Sequence, residues 1–246
     1  MKSTKSRASP RLYLKTGLRP GNQVALDEAA RAHAAALRLK PGEAVRLFDG
    51  SGGEYTAVLV QVGREMRANV GEFRAVACES PLRMTLAQCL SSGDRMDITL
   101  QKATELGVCA IQPLQSERSI VRLDEVRMAR RQTHWQNVVI SACEQCGRNS
   151  VPEVLPTQDL PQWLALAPSA GMRLVLAPDE TIGLKDLAPA DEVTLLVGPE
   201  GGLSPPELQL ALSAGFVGLR LGPRILRTET APLAALAALQ AMWGDL

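Results

Sequence analysis

Between residues 11 and 77 the apolar and polar positions alternate in short runs. Residues 11–14 read as a short strand, and residues 27–39 form an Ala-rich amphipathic helix stopped by Lys40-Pro41-Gly42. Residues 43–48 and 54–62 alternate on either side of DGSGG at 49–53, a hairpin signal. Residues 64–77 predict a further strand pair. From Met84 the rhythm changes to strand and helix in alternation, the pattern of a mostly parallel sheet. The change predicts two domains, 1–77 and 78–246, with a small β module followed by an α/β fold. Near the C-terminus, Ser204-Pro-Pro-Glu207 predicts a helix start with a capping box, and Gly215 its stop. Residues 231–243 are apolar on nearly every side, which demands burial all round and, in a chain this size, a partner subunit.

Two apolar strands in the last quarter each run into a loop of glycine, proline and polar residues: LLVGPEGGL at 195–203 and LGPRILRTETA at 221–231. Glycine is needed where backbone takes φ > 0 or where main chain must be approached without a Cβ in the way. Two such loops point to one small-molecule cleft walled by backbone. Gly198-x-x-Gly201-Gly202 is not the G-x-G-x-x-G of a dinucleotide site, and no G-x-x-x-x-G-K-[ST] occurs. A plain turn between strand and helix has no use for the charges of Arg224, Arg227 and Glu229.

Composition narrows the picture a little. At 246 residues, 46% hydrophobic and 22% charged, the chain is an ordinary globular protein able to bury a full core. No apolar run approaches the ~18 residues of a membrane span. Residues 1–21 hold six Lys/Arg and no acid, but no apolar stretch follows as in a secretory signal. Five cysteines, an odd number, suit reduced thiols in the cytoplasm. A net charge of +1 leaves RNA binding to local basic patches, and 3% aromatic residues disfavour a stacking-rich single-strand binder.

GPEGGLS at 198–204, LGPRILRTETA at 221–231 and the Ala/Leu-rich helix after it resemble the knotted S-adenosylmethionine (SAM) binding core of the SPOUT RNA methyltransferases. Within that class the chain most resembles the RsmE family, which methylates N3 of a uridine in small-subunit (16S) ribosomal RNA. FDG at 48–50, QKATELG at 101–107, SERS at 116–119 and ACEQCGR at 142–148 are also similar to family segments, in the family's order. The resemblance implies a PUA-like RNA-binding β-barrel over 1–77 and a trefoil-knotted, mostly parallel sheet domain over 78–246. It implies a SAM site at Leu176, Val197, Gly198, Pro199, Glu200, Gly201, Leu221, Gly222, Ile225, Leu226, Thr230 and Ala231. It also places segment 142–148, with Glu144, Gln145 and Arg148, near the active cleft. The implied partners are small-subunit ribosomal RNA or the assembled subunit and a second copy of the chain, with no membrane.

Uridine N3 is a weak acid and a poor nucleophile when protonated. A guanidinium suits the anion, whose charge spreads to the flanking carbonyl oxygens; Arg227 or Arg224 stands in the right loop. Glu229 or Glu200 is the candidate base. The plainer alternative is that Arg227 and Glu229 pair with each other and only fix the loop. Cys143-x-x-Cys146 lacks the second ligand pair of a structural zinc site, so no metal is expected and both thiols read as small buried residues. His134 stands alone. Among the basic residues, Arg11, Lys102, Arg118 and Arg148 are the candidate RNA contacts, with further basic residues clustered from Lys2 to Arg19. Arg122 belongs to the same basic set, and Arg127, Arg130 and Arg131, on a helix over 124–135, read as a solvated face. Two other readings stay open: a SPOUT enzyme acting on another nucleotide, and a non-catalytic ribosome-assembly factor. A dinucleotide-dependent oxidoreductase is disfavoured by the missing fingerprint.

Overall fold

The computed structural model describes residues 9–119, 125–166 and 170–246. The basic positions up to Arg7 and Arg122 lie outside these. The chain divides into two compact units: the first takes everything up to Glu79 together with Cys143–Val151, the second Ser80–Ala142 with Pro152–Leu246.

In the first unit, β1 (Arg11–Tyr13), β2 (Gln23–Ala25), α1 (Glu28–Ala36), β3 (Ala44–Phe48), β4 (Glu54–Val62) and β5 (Glu65–Arg74) follow one another. The strands form one sheet in the order β1-β3-β4-β5-β2, antiparallel except for β1 beside β3. The alternation works as expected: Leu12, Val45, Leu47, Ala57, Leu59, Ala68 and Val70 fill the core. Ala30 and Ala34 of α1 are buried in the same cluster. Asp27 caps α1, accepting from Ala30 N at 2.8 Å.

Residues 64–77, expected as two strands, are one strand. Its second neighbour is β2, three residues of which only the half-buried Val24 packs on the core, too short an alternation to read. Segment 143–151, expected in the second domain, belongs to this unit. Glu144 accepts from Tyr13 N at 3.0 Å, Asn149 Nδ2 donates to Val76 O at 2.8 Å and Ser150 N to Glu79 Oε1 at 3.2 Å.

The second unit runs β6 (Arg83–Cys89), α2 (Gly93–Glu105), β7 (Val108–Gln115), α3 (Glu125–Cys146, its last turn in the first unit), β8 (Glu153–Val154), β9 (Gln158–Asp159), α4 (Leu160–Leu166), β10 (Met172–Leu176), β11 (Glu192–Val197), α5 (Pro205–Ser213), β12 (Val217–Leu219) and α6 (Thr230–Trp243). Seven strands form a wholly parallel sheet, ordered β12-β10-β11-β6-β7-β8 with β9 also on β7. Sheets of this kind are covered on both faces, and β6 and β11 are accordingly buried over runs of consecutive residues. Parallel pairing puts the carboxyl ends of β6, β10, β11 and β12 at one end of the sheet, where open α/β sheets bind ligands.

Helix α5 starts at Ser204 with Glu207 Oε2 accepting from Ser204 N at 2.9 Å, and the other Glu207 oxygen accepts from Glu117 N at 2.7 Å. Gly215, at φ +85°, ends it, and Phe216 N then bonds Ala211 O at 3.0 Å. Helix α6 is buried along one face within the single chain. Pro232, Ala235, Leu236, Leu239 and Gln240 face inward, whereas Ala234, Ala241 and Met242 are exposed in the single chain. The inward face also carries a polar group. Gln240 Nε2 donates to Leu106 O at 2.8 Å, and its Oε1 accepts from Ser80 Oγ at 2.7 Å.

Candidate active site

The loops that leave β10, β11 and β12 enclose a cavity of about 610 Å³ within the second unit. That volume suits a nucleoside-sized ligand. Each of the three glycines after β11 does something different. An ideal Cβ on Gly198 would stand 2.9 Å from Leu203 N, so the turn closes tightly against it. Gly202 sits at φ +67°, and Gly201 meets only the Arg118 side chain. Thr228, a residue the sequence did not single out, joins the two signature loops: its Oγ donates to Gly198 O at 2.9 Å and accepts from Gln88 Nε2 at 3.4 Å. Thr230 N and Ala231 N both bond Arg227 O at 2.9 Å, which turns the second loop into α6.

The cavity wall brings together Leu176, Val197, Gly198, Pro199, Glu200, Gly201, Leu221, Gly222, Ile225, Leu226 and Ala231 of the expected cofactor set, with Arg224, Arg227 and Glu229. Leu203, Leu208 and Leu219 add an apolar side. Thr230 is the exception. It lines a second cavity of about 620 Å³ in the same unit, with Lys185, Arg220 and Arg224.

A residue from outside both loops completes the site. Arg95, in the first turns of α2, lines the cavity and places Nη1 2.9 Å from Glu200 Oε1. Its Nε lies 3.7 Å from Glu229 Oε2, so the ion-pair partner of Glu229 is Arg95 rather than Arg227. Glu200 Oε1 also accepts from Ser92 N and Ser92 Oγ, both at 2.9 Å. Burial works against the Glu200 charge, but the bonds from Ser92, its own backbone and Arg95 outweigh it and pull the carboxyl down to about 2. Glu200 is thus a fixed anion and a poor proton acceptor. Glu200 Oε2 and Glu229 Oε2 are buried and accept no hydrogen bond from the described residues. Two orphaned acceptors, apolar walls and close-packed main chain fit a ligand rich in N–H, O–H and positive charge, as SAM is.

The expected RNA contacts fare unevenly. Arg118 Nη1 donates to Gly201 O at 2.9 Å and Leu203 O at 3.4 Å, bracing the glycine turn. Lys102 pairs with Glu105 at 2.8 Å. Arg148 and Arg11 are instead engaged within the first unit. Arg148 is 4% exposed and donates from Nε to Glu79 at 2.9 Å. Arg11 pairs with Glu54, donates to Arg148 O at 2.9 Å and to Asn149 Oδ1 at 2.7 Å, and lies 4.6 Å over the Phe48 ring. Both hold the first unit together. Glu144 and its neighbours, expected beside the cleft, also belong there, and Glu144 sits 2.6 Å from His33 Nδ1. Cys143 is fully buried, and burial pushes its thiol up to about 12. His134 is not alone, standing 2.7 Å from Asp97 Oδ2. Among the described residues no cluster of three His, Cys, Asp or Glu is arranged for a metal, and no helix is long and apolar enough to cross a membrane.

Comparison with known proteins agrees with this geometry. Residues 78–240 match the family model of the RNA methyltransferase domain, and residues 26–65 that of the RNA methyltransferase PUA domain. The chain is 36% identical over 234 residues to ribosomal RNA small subunit methyltransferase E of Mycobacterium tuberculosis, covering 92% of this chain and 89% of the relative. It is 32% identical to the protein of that name from Buchnera aphidicola, over 96% of this chain and 98% of the relative. Among solved structures, the methyltransferase E of Neisseria gonorrhoeae bound to S-adenosyl methionine superposes with a TM-score of 0.92 at 48% identity, covering 96% and 99% of the two chains. A putative methyltransferase of Legionella pneumophila in complex with SAM gives 0.93 at 39% identity, covering 98% and 100%.

Proposed function

Because the chain belongs to the ribosomal RNA small subunit methyltransferase E family, we propose that it transfers the SAM methyl group to N3 of one uridine in small-subunit (16S) ribosomal RNA. The observation that carries this reading is the single cavity in which the glycine turn, the Arg224–Arg227 loop and the Arg95–Glu229 pair meet. When bound there, SAM supplies a methyl group already activated on a sulfonium, so the protein's task is alignment. Main chain at Val197–Gly201 and Leu221–Leu226 holds the donor, with Leu176 and Ala231 on the wall. Arg227 or Arg224 faces the uracil carbonyl oxygens and stabilises the N3 anion. Glu229 takes the N3 proton in preference to Glu200, whose carboxyl is saturated on one oxygen and held near 2.

In this reading residues 1–77 dock the RNA and residues 78–246 carry the chemistry, with Lys102 and Arg118 as phosphate contacts at the second domain. The path of the last residues supports a trefoil threading: from β12 at the sheet edge the chain returns as α6 to pack on α2 and β11. The exposed Ala234, Ala241 and Met242 support a homodimer through α6, acting in the cytoplasm. Purified protein with SAM and small-subunit ribosomal RNA should yield one new 3-methyluridine by mass spectrometry. A cell lacking the protein that keeps every 3-methyluridine of that RNA would refute the assignment.

A further inference from the structure

Stabilising an anion as it forms requires charge that is already in place, because a side chain that must first be ordered spends its interaction on ordering. Among the described residues three guanidiniums line the cavity, those of Arg95, Arg224 and Arg227. Arg224 and Arg227 are exposed and make no ion pair among the described residues. Arg95 differs: its Nη1 is 2.9 Å from Glu200 Oε1 and 3.2 Å from Ser92 Oγ, and its Nε is 3.7 Å from Glu229 Oε2. Glu200 is itself anchored by the Ser92 backbone. The guanidinium is therefore fixed along one edge, and Nη2 makes no hydrogen bond among the described residues.

We propose that Arg95 is a further catalytic residue, whose charge passes from Glu229 to the uracil anion during proton transfer. This rests on the uridine-N3 reading above. A uracil whose N3–H meets the Glu229 carboxylate has a carbonyl oxygen on each side of N3. The guanidinium already beside that carboxylate is within reach of one of them. At rest Arg95 faces two carboxylates, Glu200 and Glu229, while Arg224, Arg227 and Asp179 are the other charged groups on the cavity wall. When Glu229 takes the N3 proton its charge disappears, and the attraction it exerted on Arg95 is transferred to the new anion. The N3 electron pair then forms the N–CH₃ bond as the S–CH₃ bond breaks, leaving that bond's electrons on sulfur. Glu229 returns the proton to solvent. Total charge in the site is unchanged by the first step.

The test compares Arg95→Gln, Arg95→Lys, Glu229→Gln and the double variant Arg95→Gln/Glu229→Gln. Three quantities are read: kcat, SAM affinity by calorimetry, and melting temperature. Arg95→Gln should lower kcat about 10²–10³-fold, the usual cost of one preset donor, with SAM affinity within about threefold. Arg95→Lys should recover little of kcat, an ammonium having no planar edge to share between two oxygens. In the Glu229→Gln background, removing Arg95 should cost clearly less than in the parent, as expected of coupled groups. Equal loss of SAM affinity and kcat/KM with kcat unchanged would make Arg95 a brace for Glu200 and overturn the proposal, as would strict additivity. If the parent forms no 3-methyluridine, the functional reading fails instead, and that is seen before any variant is made.

Discussion

Replacing Gly198 by alanine tests whether the turn after β11 is held by packing rather than by glycine's flexibility. The new Cβ would stand 2.9 Å from Leu203 N, 3.1 Å from Gly202 C and 3.2 Å from Gly202 Cα. All three are backbone atoms, so no side chain can rotate away, and the turn must open by about half an ångström. Overpacking of this kind costs ~1–3 kcal/mol. The displaced segment is the cofactor wall, and Gly198 O is the acceptor for Thr228. The loss should therefore appear in SAM affinity, roughly 5- to 150-fold by the same energy, and in a lower melting temperature. Two neighbours act as controls. Gly201→Ala meets only Arg118 Cβ and Cδ at 3.5 Å, an ordinary contact, and should change stability by no more than about 0.5 kcal/mol. Gly202→Ala has open space but φ +67°, and should cost about 1 kcal/mol in strain. Calorimetric titration with SAM and thermal melts of the three variants should rank the damage 198 > 202 > 201. A Gly198→Ala protein that binds SAM like the parent and melts at the same temperature would refute the packing argument.

Arg227→Ala should lower kcat about 10²–10³-fold with little change in SAM affinity if it faces the N3 anion; a fall in SAM affinity alone would reduce it to a loop residue. Glu200, whose carboxyl is lowered from 4.5 to about 2, contributes stability that is present above pH 4.5 and lost as the pH falls towards 2. The melting temperatures of parent and Glu200→Gln should therefore differ at neutral pH and converge across that window; a constant gap down to pH 2 would contradict it. His33 is raised above 6.5, chiefly by its hydrogen bond to Glu144. Its contribution is complete below pH 6.5 and fades as the pH rises through the raised value, so its imidazole should titrate above 6.5 by NMR and fall back in Glu144→Gln. Light scattering at micromolar concentration should report twice 26.4 kDa, and Ala241→Glu should halve it. Elemental analysis should find no stoichiometric metal, and Cys143→Ser/Cys146→Ser should keep its activity.

Wherever a local pattern decides the outcome, the residues announce it. The alternation of β3 and β4, the Asp27 cap and the Gly215 stop need only neighbours in the chain; the first signature loop declares itself by Gly198, where a side chain would not fit, and both loops by glycine at positive φ, Gly202 and Gly222. What stayed hidden depends on distant pairing. Arg95 looks like any charge on an exposed helix start; its meaning comes from β6 lying beside β11, which sets Ser92 and Glu200 together across 108 positions. Thr228 is one hydroxyl in a polar loop until Gly198 O is placed above it. The setting of Arg11 and Arg148 is hidden for the opposite reason. A cation suggests a phosphate, and nothing in sequence shows that Glu54 and Glu79 already neutralise them in a buried setting.

The ownership of segment 143–151 has a consequence for how the polypeptide is made. A chain emerging from the ribosome generally folds its N-terminal domain first. Here the strands of the first unit are all present once Arg74 has emerged, but Tyr13 N, Arg11 and Glu79 meet their partners Glu144, Asn149 and Arg148 only some seventy residues later. Through that interval the nascent module must persist with those polar groups hydrated. A gene fragment ending near residue 79 would encode the same incomplete state permanently, so an excised N-terminal module should gain stability when a peptide spanning 143–151 is supplied in trans.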